Sequence, residues 1–101
     1  MAILFTQYWD VMPGKFDEYS SFVTHHYNPT LERLGIKLVG GYYVAVGEGP
    51  RIVAVATVDD TENLRQALAS RDYRKISNQL LSLVWKYSSK VWLPTGRTAF
   101  S

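Results

Sequence analysis

Gly35-Ile36-Lys37-Leu38-Val39-Gly40-Gly41-Tyr42-Tyr43-Val44-Ala45-Val46, then Gly47-Glu48-Gly49-Pro50, then Arg51-Ile52-Val53-Ala54-Val55-Ala56-Thr57-Val58: this stretch decides the fold. Val, Ile, Tyr and Thr suit a pleated, buried surface, and a Gly/Pro cluster ends such a run. The reading is a hairpin, with one strand from Gly35 to Val46, a turn over Gly47-Glu48-Gly49-Pro50, and a return strand from Arg51 to Val58. Neither strand alternates cleanly with polar residues, so both faces are expected to be covered. The chain's own helices can cover one face. A second copy of the chain is expected to cover the other.

Working outward toward the N-terminus, Ala2 to Val11 reads as a strand. Ile3, Phe5, Gln7, Trp9 and Val11 point one way and Leu4, Thr6, Tyr8 and Asp10 the other. Met12-Pro13-Gly14-Lys15 ends it, because proline fixes its φ and offers no N–H. A helix is predicted from about Lys15 to Tyr27, with Phe16, Tyr19, Ser20, Val23 and Tyr27 on one face. Asn28-Pro29 is expected to interrupt it, since a residue before proline avoids the α region. Thr30 to Leu34 then adds one turn, capped by Gly35.

Beyond the hairpin, Asp59-Asp60-Thr61-Glu62 opens a second helical region, with Asp60 or Thr61 as cap. Leu64, Ala67 and Leu68 form a short stripe ending near Ser70. A longer stripe of Tyr73, Ile76, Leu80, Leu83, Val84 and Tyr87 predicts a helix that reaches Tyr87, with Leu81 and Trp85 on a second buried flank. Ser89 to Leu93 is expected as a short last strand stopped by Pro94, with Thr95 to Ser101 as a tail.

The order is β-α-β-β-α-β. It predicts an α+β, ferredoxin-like domain spanning residues 1–101, with a four-stranded antiparallel sheet and helices on one face. The other face is apolar and aromatic, too large a patch to leave wet. Two such sheets packed face to face would bury it, in an interface of roughly 2,000 Å² or more.

Several stretches resemble the NIPSNAP-type members of the dimeric α/β barrel superfamily. They are Tyr8-Trp9-Asp10-Val11-Met12-Pro13-Gly14-Lys15, the run from Pro29 to Gly40, Val58-Asp59-Asp60 ahead of the second helical region, and Val91-Trp92-Leu93-Pro94-Thr95. The resemblance covers nearly the whole chain. It implies homodimers in which two four-stranded sheets form a barrel. The wider superfamily includes cofactor-free monooxygenases, haem-degrading enzymes, lactone isomerases and proteins with no known reaction, so membership alone assigns no chemistry.

Composition narrows the function classes. A net charge of +2 is too small to argue for nucleic acid or an anionic membrane. Zero cysteines removes disulfides, thiolate catalysis and cysteine metal sites. No stretch approaches the ~20 apolar residues of a membrane span. Met1 to Gln7 lacks the basic region of a secretion signal, so the expected location is cytoplasmic. Gly47-Glu48-Gly49 precedes Pro50 and a strand, which makes it a turn and not a dinucleotide loop. RNA-recognition domains share the element order but stack bases on third-strand aromatics, and Arg51 to Val58 has none. No metal and no cofactor is expected.

The candidate site residues carry two readings each. His25 and His26 are the only histidines. His26 is either a general base or axial haem ligand, or a boundary histidine bonded to a carbonyl or water. Gln7, Trp9, Tyr19, Tyr43 and Trp85 either line a cavity for a small apolar or aromatic molecule, or fill the core and dimer interface. In the first reading His26 removes a proton from a conjugated substrate, Tyr19 or Tyr43 steadies the oxyanion, and Trp9 and Trp85 hold the ring, as in cofactor-free monooxygenases or isomerases. In the second the chain is a non-catalytic dimerisation or adaptor module. A void of ~300 Å³ or more beside Tyr19, His26 and Trp85 separates them.

Overall fold

A computed structural model describes residues 2–94. The expected tail from Thr95 to Ser101 lies outside the described residues. Strand β1 spans Ile3–Val11, and a helical arm follows as α1 (Phe16–Phe22), a π-helical turn (Val23–Tyr27) and α2 (Asn28–Arg33). The hairpin is β2 (Lys37–Tyr43) and β3 (Ile52–Val58); then come α3 (Thr61–Ala69), α4 (Arg71–Leu81) and β4 (Val84–Trp92). The four strands form one antiparallel sheet in the order β2-β3-β1-β4. This is the expected ferredoxin-like α+β fold, with both hairpin-derived strands on one side of β1 and the last strand on the other.

The helices cover one sheet face. Ile3, Phe5, Trp9, Ala56, Val58 and Val84 from the sheet meet Tyr19, Phe22, Tyr27, Leu31, Leu64, Ala67, Ile76 and Leu80 from the helices. The Cα envelope measures 46 × 35 × 17 Å. A thickness of 17 Å holds one sheet and one helical layer, since packed layers lie ~10 Å apart. The second face, formed by Leu4, Thr6, Tyr8, Tyr42, Val53, Val55, Thr57 and Trp92 by register, is therefore uncovered in the single chain.

Three boundaries differ from the sequence reading. First, Asn28-Pro29 does not break the helical arm. Proline lacks an N–H and its ring meets the carbonyl four residues back. The π turn widens the backbone just before it, with the Asn28 N–H reaching Val23 O five residues back. The widening also resets the buried face. Phe22 and Tyr27, five apart, come together with ring centroids 6.0 Å apart, while Phe16 turns outward.

Second, α4 stops at Leu81. Ser82 Oγ donates to Gln79 O at 2.6 Å and the Leu83 N–H to Leu80 O at 2.8 Å, closing the helix in a turn. Val84 and Tyr87 sit four and seven residues after Leu80, so they mimic a continuing helical stripe. Strand β4 claims them, Val84 by pairing with Val11 of β1 and Tyr87 within the same strand, because Val84, Trp85, Tyr87, Val91 and Trp92 are β-branched or aromatic. Leu81 and Trp85 are consequently about half exposed and form no second buried helix flank.

Third, β2 ends at Tyr43. The Val44 N–H donates to Arg51 O at 2.7 Å, and the chain then leaves the sheet. Gly47 (φ +133°) and Gly49 (φ +94°) take backbone angles that L side chains rarely adopt, so the turn is wider than four residues and leaves Val46 exposed. Elsewhere the caps follow the sequence. Asp60 Oδ1 accepts the Asn63 N–H at 2.7 Å, and Gly35 (φ +87°) closes α2 while the Ile36 N–H reaches Leu31 O.

Candidate functional site

The helix-covered side of β1 carries a polar cluster inside the core. Gln7 sits at the middle of the strand, 3% exposed. Its amide Nε2–H group donates to the Tyr27 hydroxyl at 2.7 Å and the Tyr87 hydroxyl at 2.6 Å. The Trp9 indole N–H donates to the Tyr19 hydroxyl at 2.9 Å, and its ring stacks on Tyr87 with centroids 6.1 Å apart. Tyr73 and Tyr87 hydroxyls lie 3.5 Å apart. Burial pushes the Tyr27, Tyr87 and Tyr19 phenols above their ordinary value, so all three are held neutral. The hydrogen bonds from Gln7 and Trp9 only partly offset that. Among the described residues no buried side-chain nitrogen or oxygen lacks a partner. Gln7, Trp9 and Tyr19 are thus bonded to their neighbours and fill space.

His26 does not join them. It is exposed, stacked on Phe22 at 6.1 Å, and it borders an outer groove with Thr30, Arg33, Asp72, Lys75, Ile76 and Gln79. His25 faces solvent, its Nδ1 2.9 Å from Ser21 O. The expectation of His26 beside Tyr19 and Trp85 in one void therefore fails. The π turn that accommodates Pro29 turns Tyr27 inward and leaves both imidazoles outside, so His26 cannot serve as a base at the aromatic cluster.

A cavity opens where the sheet ends. It measures about 320 Å³ and is lined by Asp10, Val11, Phe16, Tyr43, Arg51, Ile52 and Trp85. Two of the expected ligand-binding residues, Tyr43 and Trp85, meet there. Four strand ends and the start of α1 converge on it, and the geometry follows from one irregularity. On β1 the register advances two residues, Tyr8 to Asp10, while on β4 it retreats three, Ser88 to Trp85. The extra residue is a β-bulge, and Lys86 within it has φ +58°, the only non-glycine among the described residues with positive φ. Trp85 thereby comes opposite Asp10. Such strained positions cluster at ligand sites.

Asp10 braces this end of the sheet. Its Oδ1 accepts the Arg51 backbone N–H at 2.6 Å, and its Oδ2 lies 3.7 Å from Lys86 Nζ. The Arg51 guanidinium donates to the Tyr43 hydroxyl at 3.5 Å. Asp10 stands out in the sequence as a polar residue near a strand end. Arg51 and Phe16 give no such signal: one follows a turn, the other shares the spacing of a core face. The bulge at Lys86 has no sequence mark at all. Among the described residues no group of three or more acidic or imidazole side chains converges as a metal site, and no helix is long and apolar enough to cross a membrane.

The whole chain superposes on solved structures. A NIPSNAP family protein from Agrobacterium tumefaciens superposes with a TM-score of 0.74 over 100% of both chains, at 14% identity. This chain has the NIPSNAP fold. A NIPSNAP-like domain protein from Burkholderia xenovorans gives a TM-score of 0.68 at 18% identity, covering 99% of this chain and 88% of that one. A variant of SnoaB, a cofactor-independent oxygenase from Streptomyces nogalater, gives 0.70 at 16% identity over 97% of each chain. The superpositions show the fold, and identities this low leave the chemistry to each site. No protein-family profile and no curated protein sequence matches the chain.

Proposed function

We propose that this protein is a homodimer that binds a small apolar or aromatic molecule at the end of each sheet. The cavity of about 320 Å³ carries the reading. Its size falls in the range of small-ligand sites, ~300–1,000 Å³, and its walls follow the usual pattern of apolar and aromatic surface with a few polar groups. Phe16, Tyr43 and Trp85 supply the aromatic walls, Val11 and Ile52 the aliphatic floor. The exposed Phe16 and half-exposed Trp85 gain a reason to be where they are.

The dimer is supported by the uncovered sheet face. Leu4, Tyr8, Tyr42, Val53, Val55 and Trp92 form an apolar surface that no helix of this chain reaches. The filled, fully bonded interior favours binding at the rim over turnover in the core. It also supports the dimerisation-module reading, in which the rim cavity is empty in use.

Calorimetric titration with neutral 2-naphthamide tests the ligand site. Binding is expected in the natural protein and loss is expected in Trp85→Ala. Equal binding by that variant, or no binding at all, refutes the site. Sedimentation equilibrium is expected to return twice the 11.5 kDa chain mass. Val55→Asp, at the centre of the open face, is expected to give a monomer, and a natural protein that sediments as a folded monomer refutes the dimer.

A further inference from the structure

We propose that the ligand at the end of the sheet is an aromatic acid, and that Arg51 selects it by its carboxylate. The inference rests on the cavity being a ligand site and adds the charge of the occupant.

The cavity lining holds one cation, Arg51, and one carboxylate, Asp10, and Lys86 reaches that carboxylate from outside the lining. Arg51 and Lys86 flank a single carboxylate, Asp10. Asp10 is already engaged on both oxygens, by the Arg51 backbone N–H at 2.6 Å and by Lys86 Nζ at 3.7 Å. Both Asp10 oxygens thus face partners other than the Arg51 guanidinium. Among the described residues no carboxylate lies within 4.0 Å of it, and its polar contact is the neutral Tyr43 hydroxyl at 3.5 Å. A guanidinium presents a planar fork of donors that matches a carboxylate with two parallel hydrogen bonds. Here that fork stands at the edge of a cavity whose walls are Trp85, Phe16 and Tyr43. An apolar wall and a cation at its rim select a flat apolar body carrying one negative charge.

The site is built before the ligand arrives. The Arg51 backbone is held on two sides, its N–H by Asp10 and its carbonyl by the Val44 N–H at 2.7 Å. Fixing the main chain lowers the ordering cost of capture. The same geometry separates roles within one residue. The backbone N–H braces the sheet end whatever side chain follows, so replacing the side chain removes the cation without removing the brace.

The test compares 2-naphthoate with the nearly isosteric, neutral 2-naphthamide by calorimetry on the full chain. Naphthoate is expected to bind about tenfold more tightly or better, ~1.4 kcal/mol per tenfold. In Arg51→Gln the preference should vanish, with naphthoate losing about tenfold more affinity than naphthamide or better. Arg51→Lys should keep part of the preference, because it keeps the charge and loses the fork. Equal affinity for both probes in the natural protein overturns the acid selectivity while leaving the cavity as a ligand site. A preference that survives in Arg51→Gln overturns the role of Arg51. No binding of either probe overturns the site and this inference together.

Discussion

Replacing Gln7 with leucine tests whether the interior is a bonded network or a set of incidental contacts. Leucine keeps much of the side-chain volume and removes the amide, which bonds the Tyr27 hydroxyl at 2.7 Å and the Tyr87 hydroxyl at 2.6 Å. Tyr87 keeps Tyr73 as a neighbour at 3.5 Å, but Tyr27, 1% exposed, loses its amide partner. An orphaned buried polar group costs about 1–3 kcal/mol, and a lost neutral hydrogen bond about 1 kcal/mol. Gln7→Leu is therefore expected to lower stability by about 2–4 kcal/mol, a large share of the ~5–15 kcal/mol that holds a domain together. Tyr27→Phe orphans the other partner, since one N–H of the buried Gln7 amide loses its acceptor, and should cost a similar amount, about 2–4 kcal/mol. The double variant is then expected to be more stable than the sum of the two losses by about 1 kcal/mol or more, the coupling of residues in one network. Urea unfolding followed by circular dichroism reads all three variants against the natural protein. Protein concentration is held constant, since association shifts apparent stability. Strictly additive losses would mean that Gln7 and Tyr27 do not act on each other and that the network has no energetic content.

Three further outcomes are expected. The raised phenols Tyr19, Tyr27 and Tyr87 stay protonated in the folded chain where the unfolded chain ionises, so their contribution to stability should be constant below pH ~10 and fall above it by up to about 1.4 kcal/mol per pH unit for each phenol. Urea midpoints across that range should show the fall, and Tyr27→Phe should make it shallower; an unchanged slope would remove Tyr27 as a contributor. Lys86 holds φ +58°, a region costing an L residue about 1–2 kcal/mol, so Lys86→Gly should retain or raise stability while the β-branched Lys86→Val lowers it. Equal midpoints for those two variants would show that the bulge relaxes. Asp60→Ala removes the cap on α3 and should cost about 1 kcal/mol, read from the same unfolding curves, whereas Asp60→Asn should be nearly neutral.

Much of the fold was legible because its signals are local. The Gly-Glu-Gly-Pro turn, the Asp60 cap, the Gly35 stop and the β-rich runs on either side each act within a few residues of chain. Alternation along β1 placed Ile3, Phe5, Gln7, Trp9 and Val11 on one face, and the structure keeps them there. The uncovered apolar sheet face follows from the same patterning. What only the tertiary structure decided depends on pairing between distant segments. Val84 and Tyr87 fit the helical period of α4, and the pairing of β4 with β1 on either side of its bulge made them strand instead. The π turn follows from fitting Pro29 into an arm that packs on the sheet, and it moved His26 outside and Tyr27 inside. The bulge at Lys86 set Trp85 opposite Asp10, and the hairpin brought Arg51 to the same corner from across the sheet. Periodicity reports which side of an element is apolar. It carries no information about which end of another element will meet it, and the cavity is made from five such ends.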